Sequence, residues 1–257
     1  STIGYDAAGN IVSETDRNGN TTQYTYDAVN RRIEVTDALG NVTLLAYDAV
    51  GNRLSQTDPL GHVTATSFDD NNRPTTRTDP LGNSSTNVYD PVGRVLSSTD
   101  AKGQTTSFAY DLLNRLIKVT DAQSGVVNYT YDANGNRLSM TDTNENTTSY
   151  VYDVLNRKTA TTEALGNIST LQYDTAGNVT QRTDARGLVT QYAYDALNRL
   201  VTTLYPEPRT VSFSYDAVGN RLQMTDSLGT TSTTYDDRNR ITQVTDPFGI
   251  TVQYGYD

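Results

Sequence analysis

The chain has 257 residues, a formal net charge of −10 and a pI near 4.5, which argues against a nucleic-acid groove, since that needs a basic footprint. It has no cysteine, which excludes disulfides and thiolate metal sites, and no apolar run of about 18 residues, the least a membrane helix needs. Leucine, isoleucine, valine and phenylalanine make up roughly a fifth of it, close to where disorder becomes the default, so something other than a large oily core must hold it in shape. The 18 tyrosines, against 4 phenylalanines and no tryptophan, point to aromatic faces with a polar end.

From the N-terminus, the first landmark is Tyr5-Asp6. The pair returns at Tyr26, Tyr47, Tyr89, Tyr110, Tyr131, Tyr152, Tyr173, Tyr194, Tyr215, Tyr235 and Tyr256, with Phe68-Asp69 filling the one gap. Successive steps are 21 residues, except Tyr215 to Tyr235, which is 20. Residues 1–257 are therefore one repeat array, and a period of this size marks stacked supersecondary units. Four residues after each of the first twelve aromatics stand Gly9, Asn30, Gly51, Asn72, Gly93, Asn114, Gly135, Asn156, Gly177, Asn198, Gly219 and Asn239. Glycine and asparagine enter left-handed backbone geometry at least cost, so the demand at this position is φ > 0.

A second landmark lies eleven residues after the aromatic in eleven of twelve repeats. There Asp16, Asp37, Asp58, Asp79, Asp100, Asp121, Asp142, Glu163, Asp184, Asp226 and Asp246 occur, nine of them followed three residues later by glycine. Asp first, Pro often second and Gly fourth predicts a type I turn closed by a left-handed residue, which in hairpins gives the three-residue loop with a G1 bulge. The segments between turns, such as "NTTQYTY", "RRIEVT", "NRLSQT" and "HVTATSF", are short, rich in β-formers and partly alternating. Each repeat reads as one β-hairpin, and the chain as about 24 antiparallel strands with no helix. At about 4.8 Å per strand the ribbon is roughly 115 Å wide, beyond the ~10 strands an open twisted sheet tolerates. It is expected to curl, spiral or break into blades. Bulged or longer rim loops are expected at Leu204–Thr210, at "TDAQSGVV" and at "TDTNENTT", as candidate contact sites.

The motif Y-D-x-x-G-N/R with T-D-x-x-G-N, in phase over essentially all 257 residues, resembles the YD or Rhs repeat family. That family includes bacterial Rhs polymorphic toxins, the cocoon component of insecticidal toxin complexes and the extracellular part of teneurins. The resemblance implies an all-β array of 21-residue hairpins in one long antiparallel sheet that spirals into a hollow shell. In bacterial members such a shell encloses a toxic segment. The repeat tyrosines are expected to pack on Ile33, Leu54, Leu96, Ile117, Leu138 and Leu222, with about 0.2–1 kcal/mol from each cross-strand pair. The two D-P-L-G copies at Asp58 and Asp79 superficially match the paired motifs of an Rhs autoproteolysis module, yet they occupy ordinary turn positions one period apart.

Discrete sites find little support. His62 is the only histidine, which excludes a multi-histidine metal site, and it stands where other repeats carry Asn20, Asn41, Asn83 or Asn167. The acidic loops Asp132–Asn136 and Asp142–Thr147 lack the spacing of a calcium loop. Carboxylate pairs such as Asp27 and Asp37 recur a dozen times, whereas catalysis needs one constellation. The sequons at Asn20, Asn41, Asn83, Asn128, Asn146, Asn167 and Asn178 follow from composition. No catalytic residue, cofactor or metal is expected.

Three readings follow. The first is a non-catalytic shell segment of a secreted or surface-exposed bacterial protein, cut from a longer polypeptide and shielding a toxin or other cargo. Its partners would be the remaining shell segments. The second is an adhesin-like module binding glycan or protein, or a filament of copies joined through open sheet edges. The third is a six-bladed propeller, suggested by the 42-residue period of the Gly/Asn alternation.

Overall fold

The computed structural model describes residues 1–207 and 209–257. It is all β, with 25 strands assigned to one antiparallel sheet and two compact units, Ser1–Val127 and Asn128–Asp257. In the first unit every strand from Thr2–Tyr5 to Leu116–Thr120 pairs with the next in sequence. In the second, the same holds from Val126–Tyr131 to Thr251–Gln253. The unbroken ladders rule out the propeller, which would interrupt pairing after every fourth strand.

Two kinds of hairpin alternate. Those closed at Thr-Asp keep plain register, as in Thr15↔Thr21 and Ser13↔Gln23. Those closed at Tyr-Asp carry one extra residue: Thr25 faces Glu34 while Tyr26 faces Arg32, leaving Ile33 as a bulge. A bulge bends the strand and adds right-handed twist, so twist is injected at every Tyr-Asp hairpin.

The register divides the side chains into two unlike faces. On one face of the first unit lie Tyr24 opposite Val35 and Phe108 opposite Val119, with Tyr26 and Tyr110 two residues on. In the second unit the same face holds Tyr129 opposite Met140 and Phe213 opposite Met224. The other face pairs mostly small or polar residues, such as Ser55 with Ala65, Ser97 with Ser107, Ser139 with Ser149 and Gln181 with Gln191, with Leu44, Val88 and Val151 among them. The aromatic side chains of the strands are thus gathered on one face.

Neither face is covered. Among the described residues no apolar side chain is buried, and the buried residues are the polar Asp90 and Thr203. The expected tyrosine partners Leu54, Leu96, Leu138 and Leu222 sit at bulge positions and stay 37–39% exposed. Stability must therefore come from strand pairing, cross-strand contacts and the rims, each hairpin leaning on its neighbours.

Two of the irregular turns prove regular. Ser124 and Glu145 take the left-handed position at φ 66° and 65°, and their loops close with the same hydrogen bonds as the others. The Tyr205 N–H donates to the Arg209 carbonyl over the usual span, although Pro208 of that loop lies outside the described residues. At Ser124 and Glu145 the expected longer loops are thus corrected: side chains vary while loop length does not. The 20-residue step comes from Asp226–Gly229, where a two-residue turn pairs Asp226 directly with Gly229. Gly229 has φ 127°, and a Cβ there would meet Pro247 at 2.9 Å.

Candidate functional site

The recurring unit is an aspartate that organises its own turn. Asp27 donates its N–H to the Arg31 carbonyl, and its carbonyl accepts the Asn30 N–H. Its Oδ1 accepts the N–H groups of Val29 and Arg31 at 3.0 and 2.9 Å, and its Oδ2 accepts the Arg31 Nε at 2.7 Å. The geometry recurs at both rims, with asparagine replacing arginine as at Asp16–Asn20. The twelve residues at the third position after the Tyr-Asp aspartates all have positive φ, 60–64° at the asparagines and 87–103° at the glycines.

The Gly/Asn alternation along the Tyr-Asp rim has a physical basis. Glycine at that position is followed by asparagine, except at Gly93-Arg94, and asparagine is always followed by arginine. In a Gly-Asn turn the second residue reaches the next turn: Asn10 Nδ2 donates to Asn30 Oδ1 at 2.8 Å, and Asn52, Asn136, Asn178 and Asn220 do likewise to Asn72, Asn156, Asn198 and Asn239. In an Asn-Arg turn the guanidinium goes further, from Arg31 Nη1 to the Asp48 carbonyl at 2.5 Å, with counterparts from Arg73, Arg157 and Arg199. Arg94 does both, reaching Asn114 Oδ1 at 2.8 Å and the Asp111 carbonyl at 3.3 Å. The rim is thus a chain of clasps with a two-hairpin period.

The repeat tyrosines complete each clasp. Arg31 lies 5.0 Å over the Tyr47 ring, and Arg73, Arg94, Arg157, Arg199 and Arg240 lie 4.3–4.9 Å over Tyr89, Tyr110, Tyr173, Tyr215 and Tyr256. The guanidinium is attracted by the ring's negative face. The phenol hydroxyl is anchored across the sheet: Tyr26, Tyr110, Tyr152, Tyr173, Tyr215 and Tyr256 donate to the carbonyl fifteen residues back. Sequence reasoning located the tyrosines and missed the arginines, whose signal is their fixed place directly after Asn30, Asn72, Asn114, Asn156, Asn198 and Asn239.

These contacts hold the turn aspartates ionised. The Asn10 side-chain amide, then its backbone N–H, hold the Asp6 carboxyl below the ordinary range, and the backbone N–H of Arg31 does most for Asp27. A carboxylate with several donors titrates low. It also has little left to give to a metal or a reaction. His62 repeats the asparagine pattern, with Nδ1 2.9 Å from Asp58 Oδ2. Asp132 and Asp142 spend both oxygens within their turns. Asp27 and Asp37 stand at opposite ends of the strand Arg32–Thr36. Among the described residues no cluster of three or more metal-ligating side chains occurs, and no helix is long and apolar enough to cross a membrane.

The model of the RHS Repeat family matches residues 5–42, 47–84, 89–126, 131–168, 173–210 and 235–257. The first five matches each begin on the aromatic before a glycine turn, so one family unit is one Gly turn and one Asn turn. No curated protein matches the chain. Among solved structures, the Photorhabdus luminescens Tc holotoxin pore aligns at TM-score 0.39 and 15% identity over 88% of this chain and 19% of that one. The TcdB2–TccC3 structure aligns at TM-score 0.30 and 15% identity over 94% and 21%. The chain spans about a fifth of the length of either. With six matches that together cover most of its length, the chain belongs to the RHS repeat family.

Proposed function

We propose that this chain is a non-catalytic wall segment of a secreted or surface-exposed bacterial protein, shielding a toxin or other cargo behind its sheet. The observation that carries the reading is a sheet with two unlike faces and no second layer. The face of Tyr24, Phe108, Tyr129 and Phe213 suits a sheltered interior that receives unfolded apolar segments. The Ser, Thr and Gln face suits water. Tight turns at both rims leave a protease little extended loop to cut, and within each unit the ladder leaves no gap between strands. Chemistry by the aspartates is disfavoured because their oxygens are saturated at turn after turn. The partners are further wall segments.

The test is protease protection of the native polypeptide from its source. The reading predicts that any segment outside the repeats survives thermolysin while the wall is intact and is degraded once acid opens it. Degradation at the same rate with the wall intact would contradict enclosure.

A further inference from the structure

In the first unit the aromatic face is interrupted by a run of polar residues. Around the strands Arg53–Thr57, Val63–Phe68, Pro74–Thr78 and Ser84–Tyr89, the places taken elsewhere by Tyr24, Val35, Phe108 or Tyr129 hold polar residues. Gln56 faces Thr64, and Thr66 and Ser85 flank Arg77 from either side. With Arg53, Asp58 and His62 they line a cavity of about 560 Å³, within the ~300–1,000 Å³ range of small-molecule sites.

Arg53 differs from its counterparts in the other repeats. Five repeats place a cation six residues after the aromatic, and Arg32, Arg137, Lys158 and Arg221 each lie over a ring. Arg53 is the fifth and lies over none, because Leu45 and Thr66 stand where the others meet Tyr24, Tyr129, Tyr150 or Phe213. Among the described residues neither Arg53 nor Arg77 has a side-chain hydrogen bond, ion pair or ring contact. The nearby acid is occupied, since Asp58 Oδ1 accepts two backbone N–H groups and Oδ2 meets His62 Nδ1. In a chain of net charge −10, two guanidiniums that pair with no carboxylate line one cavity.

We propose that this cavity binds a phosphate monoester of a small polyol. A phosphate monoester carries about −1.5 to −2 charges at neutral pH, which matches two guanidiniums, and the guanidinium fork fits phosphate bidentately. The hydroxyls of Thr64, Thr66 and Ser85 and the amide of Gln56 match a polyol rather than an apolar tail. The site is independent of whether the wall encloses anything.

Titration calorimetry of the full chain with glycerol phosphate, inorganic phosphate and glycerol tests this. The expected result is saturable binding of glycerol phosphate, at least threefold weaker binding of inorganic phosphate, and none of glycerol. Arg77→Gln and Arg53→Gln are each expected to weaken binding at least tenfold with an unchanged thermal transition, since neither side chain is engaged in the fold. Lys102→Gln, on a turn outside the cavity, is expected to leave it unchanged. No saturable binding, or undiminished binding by both arginine variants, would overturn the site. Inorganic phosphate binding as tightly as the ester would overturn the polyol part.

Discussion

At the residue scale, the structure turns on a few backbone positions and one repeated carboxylate. Gly51 has φ 101°, and a Cβ there would meet nothing within 4 Å, so Gly51→Ala isolates the cost of left-handed geometry. It is expected to destabilise by about 1–2 kcal/mol, read from urea unfolding. Phe68 is the one aromatic of the series without a hydroxyl. Its neighbours Tyr89 and Tyr110 donate to carbonyls of Pro74 and Val95, so Phe68→Tyr would reach the Arg53 carbonyl and stabilise by about 0.5–1.5 kcal/mol. The turn aspartates set the pH response. The folded pKa values of Asp6, Asp27, Asp37, Asp236 and others like them lie below the ordinary ones, so their contribution is complete above the unfolded value, about 3.9, and is lost as pH falls through the folded values. The melting temperature is expected to stay level from about pH 7 to 5 and to drop steeply below about 4. An unchanged melting temperature at pH 3 would remove the aspartates from the account. The demand for φ > 0 at Gly9 through Asn239 was legible in the sequence because only two residue types meet it cheaply.

At the scale of the element, the hairpin was legible and its coupling to the next was not. The alternation of Gly51 with Asn72 becomes readable only when each is taken with the residue after it, because Asn52 donates to a side chain 20 residues on. The faces were hidden for another reason. The bulge at Ile33 shifts the parity of side chains within every Tyr-Asp hairpin, so counting alternate residues across the turn assigns half of them to the wrong side. The clasp makes a comparison possible. Deleting residues 152–193 removes one 42-residue period and brings Asn136 against Asn198, which restores the Asn–Asn bond. Deleting residues 152–172 removes 21 residues and sets Asn136 against Gly177, which has no side chain to accept. The shorter deletion is expected to be the less stable by about 1 kcal/mol, although it leaves more protein. Equal stability would show that the clasps are ornamental.

At the scale of the molecule, an array without a buried apolar core holds together by repetition. Each contact is small. A cation over a ring at an exposed site contributes about 0.5–1 kcal/mol, and a net hydrogen bond about as much, but the same set returns at turn after turn. Such a sheet stays open on both faces unless curvature or further wall shelters one of them, and the aromatic face is the one that gains. The measurement that tests this most directly is electron cryo-microscopy of the native polypeptide. The account predicts a hollow particle with residues 1–257 in its wall, Tyr24, Tyr129 and Phe213 facing the lumen, and the Ser, Thr and Gln face outside. A particle with that aromatic face turned to solvent, or with these residues on a solid projecting stalk, would contradict it.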